Sequence, residues 1–151
     1  MAIKSLLSID DDPQILAIIR NVALELGYQA EMTSNAGKFM TAYSRVHPSV
    51  ITMDICMPDT DGIEMLRWLG SVETGAKIII LSGADPSYAE MAQRLGQAGG
   101  CRDITILRKP FRIADLRRAL TTVDPTLPTT PTSQASPRPR LKASSPKRGA
   151  G

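Results

Sequence analysis

Four apolar runs in this chain each end in a short polar signal. The runs and their signals are Ile3–Ile9 with Asp10-Asp11-Asp12, Val50–Met53 with Asp54, Lys77–Leu81 with Ser82, and Ile104–Leu107 with Lys109. If the runs are parallel strands, all four signals lie at the carboxyl edge of one sheet, where open α/β sheets bind ligands. Carboxylates, a hydroxyl and an ammonium at that edge predict a site for a divalent cation and a phosphoryl group.

Amphipathic segments alternate with these runs and predict helices. Pro13 suits a first helical turn, Gly27 a helix stop, and Asn35 a helix cap. Strands are predicted over residues 3–9, 28–33, 49–53, 77–81 and 103–107, and helices over 13–26, 35–47, 61–69, 86–98 and 112–123. Such alternation gives a parallel sheet with helices on both faces. We therefore predict an α/β, flavodoxin-like (βα)5 doubly wound sheet with strand order 2-1-3-4-5 and strand two at an edge.

The composition changes at Asp124-Pro125. From there on the chain has six prolines, many Ser and Thr, and two large aliphatic residues, Leu127 and Leu141. Such a segment cannot bury enough apolar surface to offset its ordering entropy. We predict one domain over residues 1–123 and a disordered, Pro/Ser/Thr-rich basic tail over 124–151, with no output domain.

The net charge of +3 is distributed unevenly. Residues 1–123 hold 13 basic and 14 acidic side chains, whereas residues 124–151 hold five basic and one acidic. A nearly neutral domain argues against a nucleic-acid surface, and we interpret the basic tail as a solubilising linker.

No run approaches the roughly 18 apolar residues of a membrane helix. The two cysteines are too few for a disulfide scaffold, so a reduced cytoplasm is the expected location.

Two of the polar signals consist of carboxylates. Adjacent Asp10 and Asp11 repel each other unless a cation lies between them, and Mg²⁺ prefers oxygen ligands. The alternative is that they merely cap the next helix, as Asp12 before Pro13 is expected to do. Asp54 would bring a third carboxylate, and a carboxylate can attack phosphorus to give an aspartyl phosphate. When the pair is considered together with Asp54, we favour metal binding by Asp11, with Asp10 in support.

Ser82 and Lys109 carry weaker signals when taken singly. Ser before Gly83 is ordinary turn chemistry, and a lone Lys is usually solvated. Pro110, however, biases Lys109 toward an extended conformation. Its ammonium can then project along the strand into the crevice and pair with a carboxylate or a phosphoryl oxygen.

Together these motifs resemble the receiver domain of two-component response regulators, over about residues 3–121. The matching motifs are Ile9-Asp10-Asp11-Asp12-Pro13, Asp54 with Met57-Pro58 and Asp61-Gly62, Leu81-Ser82-Gly83-Ala84, and Lys109-Pro110-Phe111. The resemblance implies that Asp54 accepts a phosphoryl group from a sensor histidine kinase or phosphotransfer protein. It also implies that Mg²⁺ is held by Asp11, Asp54 and the backbone carbonyl of Cys56, while Lys109 and Ser82 bind the remaining oxygens. The domain would catalyse its own phosphoryl transfer and dephosphorylation without being an enzyme in the usual sense.

The chain departs from the family pattern at Ile106, three residues before the lysine, where Tyr or Phe is usual. Segment 96–103 also differs, and the surface around it often serves output contacts in the family. The sequence therefore does not identify the downstream protein, and a homodimer through helix four, strand five and helix five is one possible arrangement. The Ile106 departure motivates an alternative function, a pseudo-receiver that binds its partner without phosphorylation.

Several residues have plain interpretations beside functional ones. Cys56 is interpreted as a small apolar filler rather than a redox sensor, His47 as a surface residue, and Trp68 as packed on helix three. A haloacid-dehalogenase-type phosphatase, suggested by Asp10-Xaa-Asp12, is disfavoured because Pro13-Gln14 does not continue that motif.

Overall fold

The computed structural model describes residues 4–83 and 85–121. In chain order its elements are β1 (Ser5–Ile9), α1 (Pro13–Glu25), β2 (Gln29–Thr33), α2 (Ala36–Val46), β3 (Val50–Asp54), β4 (Cys56–Met57), β5 (Thr60–Asp61), α3 (Gly62–Ser71), β6 (Lys77–Ser82), α4 (Pro86–Ala98), β7 (Ile104–Arg108) and α5 (Ile113–Thr121). The predicted tail, the domain boundary at residue 123, Ile3 and Ala84 lie outside the described residues.

Five of the strands form one parallel sheet in the order β2-β1-β3-β6-β7. Since β6 and β7 are the fourth and fifth predicted strands, the flavodoxin-like order 2-1-3-4-5 is confirmed, as is the edge position of β2. The register brings the strand ends level: Ile9 lies opposite Met53, Asp54 opposite Leu81, and Ser82 opposite Arg108. The polar residues that end the strands therefore lie along one edge.

Two separate apolar clusters cover the two faces of the sheet. Successive side chains of a strand point to opposite faces, so Leu7, Ile51 and Ile78 join one cluster while Leu6 and Val50 join the other. Helices α2, α3 and α4 pack on the first face, and α1 and α5 on the second. Strands β1 and β3 are buried throughout, which agrees with their apolar sequences.

Side-chain caps begin helices α1 and α2 where the sequence predicts them. The Asp12 carboxylate accepts a hydrogen bond of 2.9 Å from the amide of Gln14, and Asn35 accepts one of 2.9 Å from the amide of Lys38. Helix α1 ends before Gly27, whose φ of +88° favours glycine. Helix α4 has the predicted bounds, 86–98. These helix predictions are confirmed.

Several predicted bounds are wrong by one or two residues. Lys4 lies outside β1, strands β2, β3 and β7 begin one residue later than predicted, and α3 extends to Ser71, two residues past its predicted end. Strands β3, β6 and β7 each end one residue later than predicted, at Asp54, Ser82 and Arg108, because the backbone pairing of the ladder continues past the last apolar side chain. Asp54 and Ser82 are therefore held within the sheet rather than in the loops that follow it. The antiparallel pair of β4 and β5 was not predicted, since two-residue strands are too short to show alternation.

Helices α3 and α4 approach so closely that one position between them has no room for a side chain. A Cβ atom on Gly70 would collide with the backbone carbonyl of Gly99, whereas a Cβ atom on Gly75 would meet nothing within 4 Å. We expect Gly70→Ala to lower the free energy of unfolding by about 1–3 kcal/mol, because a rigid backbone must shift. Urea unfolding measures the loss, with Gly75→Ala as the matched control. Equal stabilities for the two variants would contradict this packing.

Candidate functional site at the carboxyl edge of the sheet

The polar residues predicted to form a site lie at the carboxyl edge of the parallel sheet. Asp10 follows β1, Asp54 ends β3, Ser82 ends β6, and Lys109 follows β7. Their positions come from strand register, because neighbouring strands in this order end at nearly the same level. The edge thus collects residues that are far apart in the chain.

The ammonium of Lys109 links two of the carboxylates. Its Nζ lies 3.0 Å from Oδ2 of Asp10 and 3.3 Å from Oδ2 of Asp54. The backbone amide of Lys109 donates a 2.6 Å hydrogen bond to the carbonyl of Ser82. That bond ties the segment after β7 to the end of β6, so the lysine stem is directed toward β3 and β1.

Backbone amides orient the same two carboxylates from the other side. The amide of Asp12 donates to Oδ1 of Asp10 at 2.9 Å, and the amide of Cys56 donates to Oδ1 of Asp54 at 3.0 Å. Each carboxylate therefore uses one oxygen for a loop amide and the other for Lys109. Sequence reasoning did not find these two amides, because a backbone donor leaves no signal in residue type.

Asp11 completes a group of three carboxylates. One carboxylate oxygen from each of Asp10, Asp11 and Asp54 lies within 4.8 Å of the other two. Asp10 and Asp54 are buried, while Asp11 is exposed. This donor set suits a hard divalent cation, because Mg²⁺ takes carboxylate oxygens and keeps several waters, and the exposed Asp11 leaves the site accessible to solvent.

Burial and charge shift the protonation equilibria of this site. Burial raises the pKa of Asp10, an effect that the Asp12 amide and Lys109 oppose and the charge of Asp54 reinforces. For Lys109, burial alone would lower the pKa, but the two carboxylates outweigh it and the pKa lies above its usual value. The ammonium is therefore held in its charged form by the carboxylates that it links.

Ser82 and Cys56 flank Asp54 in different ways. Ser82 is buried at the end of β6, one residue beyond the partner of Asp54 in the ladder. Cys56 is exposed, and its thiol pKa is raised by partial burial and then by the charge of Asp54. Because the thiolate is the reactive form, a raised pKa makes this cysteine a poor nucleophile.

The surroundings of Ile106 are apolar. Ile106 lies opposite Ile80 in the ladder and packs, half-buried, against the first apolar cluster. Tyr88 of α4 packs against the same cluster. Tyr88 therefore adds an aromatic ring to the cluster that Ile106 also contacts, although none stands at position 106 itself, and sequence reasoning did not single it out.

Comparison with known proteins agrees with this fold and site. The family described as "Response regulator receiver domain" matches residues 6–121. Regulatory protein AtoC of Escherichia coli is 28% identical over 115 residues, 76% of this chain and 24% of that protein. Chemotaxis protein CheY of Thermotoga maritima is 27% identical over 121 residues, 80% of this chain and 97% of that protein. The solved structure of chemotaxis protein CheY4 of Vibrio cholerae superposes with a TM-score of 0.68 at 22% identity, covering 81% of this chain and 99% of that one.

The fold and the edge site define a signalling domain of the two-component class. The chain belongs to the response regulator receiver domain family, as the motifs around Asp10, Asp54, Ser82 and Lys109 predicted. It spans about a quarter of the length of AtoC and nearly all of the Thermotoga maritima CheY. Among the residues that the structure describes, no helix is both long enough and apolar enough to cross a membrane.

We expect the raised pKa of Asp10 to make metal-free stability depend on pH. The folded protein holds this proton more tightly than the unfolded chain, so the contribution is present below the usual pKa of Asp and is lost as pH rises through the raised pKa. Asp10→Asn should remove this loss, which urea unfolding across the acidic range measures as the difference from the unmodified chain. Parallel curves for the two proteins would contradict the shift.

Proposed function

We propose that this chain accepts a phosphoryl group on Asp54 from a sensor histidine kinase or a phosphotransfer protein, and signals through phosphorylation-dependent protein–protein contacts. The observation that carries the proposal is the link from Lys109 to both Asp10 and Asp54, with Asp11 beside them. A nucleophilic carboxylate, a fixed ammonium and further carboxylates for a cation are the parts that phosphoryl transfer requires.

The proposed transfer is a displacement at phosphorus. The free electron pair of an Asp54 oxygen forms the new bond to phosphorus while the bond from phosphorus to the donor imidazole nitrogen breaks, and that nitrogen keeps the electron pair. The Cys56 amide holds the other Asp54 oxygen at 3.0 Å and so fixes the carboxylate. Lys109 and the Ser82 hydroxyl then bind phosphoryl oxygens. Water later attacks phosphorus, the bond from phosphorus to the Asp54 oxygen breaks, and inorganic phosphate leaves with the carboxylate restored.

Asp11, Asp54 and the backbone carbonyl of Cys56 would hold Mg²⁺, with Asp10 in support. The cation would neutralise the charge on the phosphoryl oxygens. The role of this chain's residues is to place the three carboxylates so close together that a bound cation relieves their repulsion. Asp11 is exposed, so water could complete the coordination of the cation.

The proposed setting is the cytoplasm, and the output is a protein contact. Cys56 and Cys101 are both free thiols, which suits a reducing compartment. Met91 and Leu95 on α4 and Ile113 on α5 are exposed apolar side chains. They support the prediction that α4, β7 and α5 contact a downstream protein or a second copy of this chain.

A phosphorylation-independent pseudo-receiver is the second candidate function. The observation that supports this second function is Ile106, because a half-buried isoleucine cannot act as an inward-turning aromatic switch. The two functions differ in one measurable quantity, the affinity for a partner captured with the unmodified chain. Equal affinities for this chain treated with acetyl phosphate and for Asp54→Asn would favour the pseudo-receiver, and tighter binding of the treated chain would favour the phosphorylated switch.

We expect Asp54→Asn to abolish phosphorylation. Incubation with Mg²⁺ and acetyl phosphate should add the mass of one phosphoryl group to the unmodified chain, because acetyl phosphate needs no kinase. Asp103→Asn, which alters an exposed carboxylate in the loop before β7, is the control and should be labelled like the unmodified chain. Labelling of Asp54→Asn, or labelled peptides that exclude residue 54, would contradict the assignment.

We expect Mg²⁺ to stabilise the fold through Asp11. At ten times its dissociation constant, one bound ion should raise the free energy of unfolding by roughly 1.4 kcal/mol. Asp11→Ala should abolish this gain at the same Mg²⁺ concentration, as measured by urea unfolding with and without the ion. A gain of the same size in the variant would show that the cation binds elsewhere.

A further inference from the structure

An apolar groove with an acidic rim lies between α2 and α3, beside the hairpin of β4 and β5. Its volume is about 320 Å³. Met40, Met65 and Trp68 line it and are buried or half-buried, so we call them its floor. The carboxylates of Asp59, Asp61 and Glu64 also line it and are exposed, so we call them its rim. None of the described residues that line it is Lys or Arg. Two other grooves, along β2, differ in that Arg45 contributes to both.

The carboxylates of the rim differ in how far they are already engaged. Asp61 caps α3 through the amides of Ile63 and Glu64, and Glu64 forms an ion pair with Arg67 on the next turn of the same helix. Both Glu64 and Arg67 are largely exposed, so this pair is weak. Asp59 is exposed in the turn of the hairpin. The rim therefore keeps a negative field that a cationic segment could neutralise.

The chain itself contains a segment of the complementary composition. Residues 138–142 read Arg-Pro-Arg-Leu-Lys, and Lys147 and Arg148 follow, with no acidic residue after Asp124. Leu141 is one of only two large aliphatic side chains beyond residue 124. It stands among the basic residues, so one short segment offers an apolar group for the floor and cations for the rim. Arg guanidinium groups also bind the faces of Trp rings.

The length of the intervening chain permits this contact. Arg138 and Lys142 lie 17 and 21 residues beyond Thr121, which corresponds to about 56 Å and about 69 Å of extended chain. A domain of this size is about 35 Å across, so half of its circumference is about 55 Å. A tether of this length also gives an effective concentration of about millimolar, at which weak contacts are populated.

We propose that the groove between α2 and α3 binds the basic segment 138–142 of the same chain. Leu141 covers the floor at Met40, Met65 and Trp68, while Arg138, Arg140 and Lys142 pair with the rim carboxylates. This contact does not require phosphorylation of Asp54. It places a segment of the tail against the hairpin whose first residue, Cys56, hydrogen-bonds the Asp54 carboxylate.

Zero-length carbodiimide cross-linking of the whole chain tests the contact, because it joins an amine only to a carboxylate that it touches. Peptide mapping should find Lys142 joined to Asp59 or Glu64. In Arg138→Glu/Arg140→Glu, which keeps the Lys142 amine, this product should fall about fivefold, since exposed ion pairs contribute modestly. The matched control is Arg94→Glu/Arg102→Glu, two exposed arginines of the described domain, and it should leave the product unchanged.

Two further measurements separate the tail from other occupants. A mixture of ¹⁵N-labelled and unlabelled chains should give the cross-link within single chains, and products that join the two isotopes would identify a second copy as the occupant and overturn the proposal. The fluorescence of Trp68, the single tryptophan, should change when salt is raised to 1 M, where screening acts over about 3 Å, and should not change in Arg138→Glu/Arg140→Glu. Absence of the Lys142 product, or an equal yield in the double variant, would also overturn it.

Discussion

The site depends on one cation of the protein itself, the ammonium of Lys109, placed between two buried carboxylates. Asp10 and Lys109 are 99 positions apart in the chain, and Asp54 and Lys109 are 55 apart. Buried charges of like sign are costly unless an opposite charge and hydrogen bonds compensate them. Here the compensation comes from Lys109 on one side and from the amides of Asp12 and Cys56 on the other. The fold and the site are therefore two aspects of one arrangement.

Strand register explains how such distant residues meet. All five strands are parallel, and their carboxyl ends lie nearly level. A shift of one residue in β3 would turn the Asp54 side chain to the other face of the sheet. The apolar side chains that fix the register, such as Ile51 and Met53, are thus also what places the carboxylate beside Lys109. The stability of the core and the geometry of the site have the same origin.

Much of this could be predicted from the sequence, because the signals were local. Long periodic segments with Pro at one end and Gly at the other gave α4 its bounds, and continuous apolar runs indicated buried strands. The ends of β3, β6 and β7 were predicted too early, because an Asp or Ser within a ladder does not differ in sequence from one in a loop. The hairpin of β4 and β5 was not predicted, since strands of two residues are too short to show the alternation of apolar and polar side chains that identifies a strand.

Other features depend on distant parts of the chain and had no local signal. The amides of Asp12 and Cys56 act through the backbone, and the packing of Tyr88 against the first apolar cluster depends on how α4 lies on the sheet. The groove with Met40, Asp59 and Trp68 forms only when α2 and α3 are side by side. The match in charge and polarity between this groove and the basic segment 138–142 is visible only when the positions of α2 and α3 are known.

A crystal structure of the chain with Mg²⁺ and beryllium fluoride tests the central claim most directly, because the fluoride complex imitates a phosphoryl group on a carboxylate. The account predicts the beryllium group on Asp54, its fluorines in contact with Lys109 and the Ser82 hydroxyl, and one cation bound by Asp11, Asp54 and the Cys56 carbonyl. A cation bound away from these carboxylates, or a Lys109 ammonium far from Asp54, would contradict it.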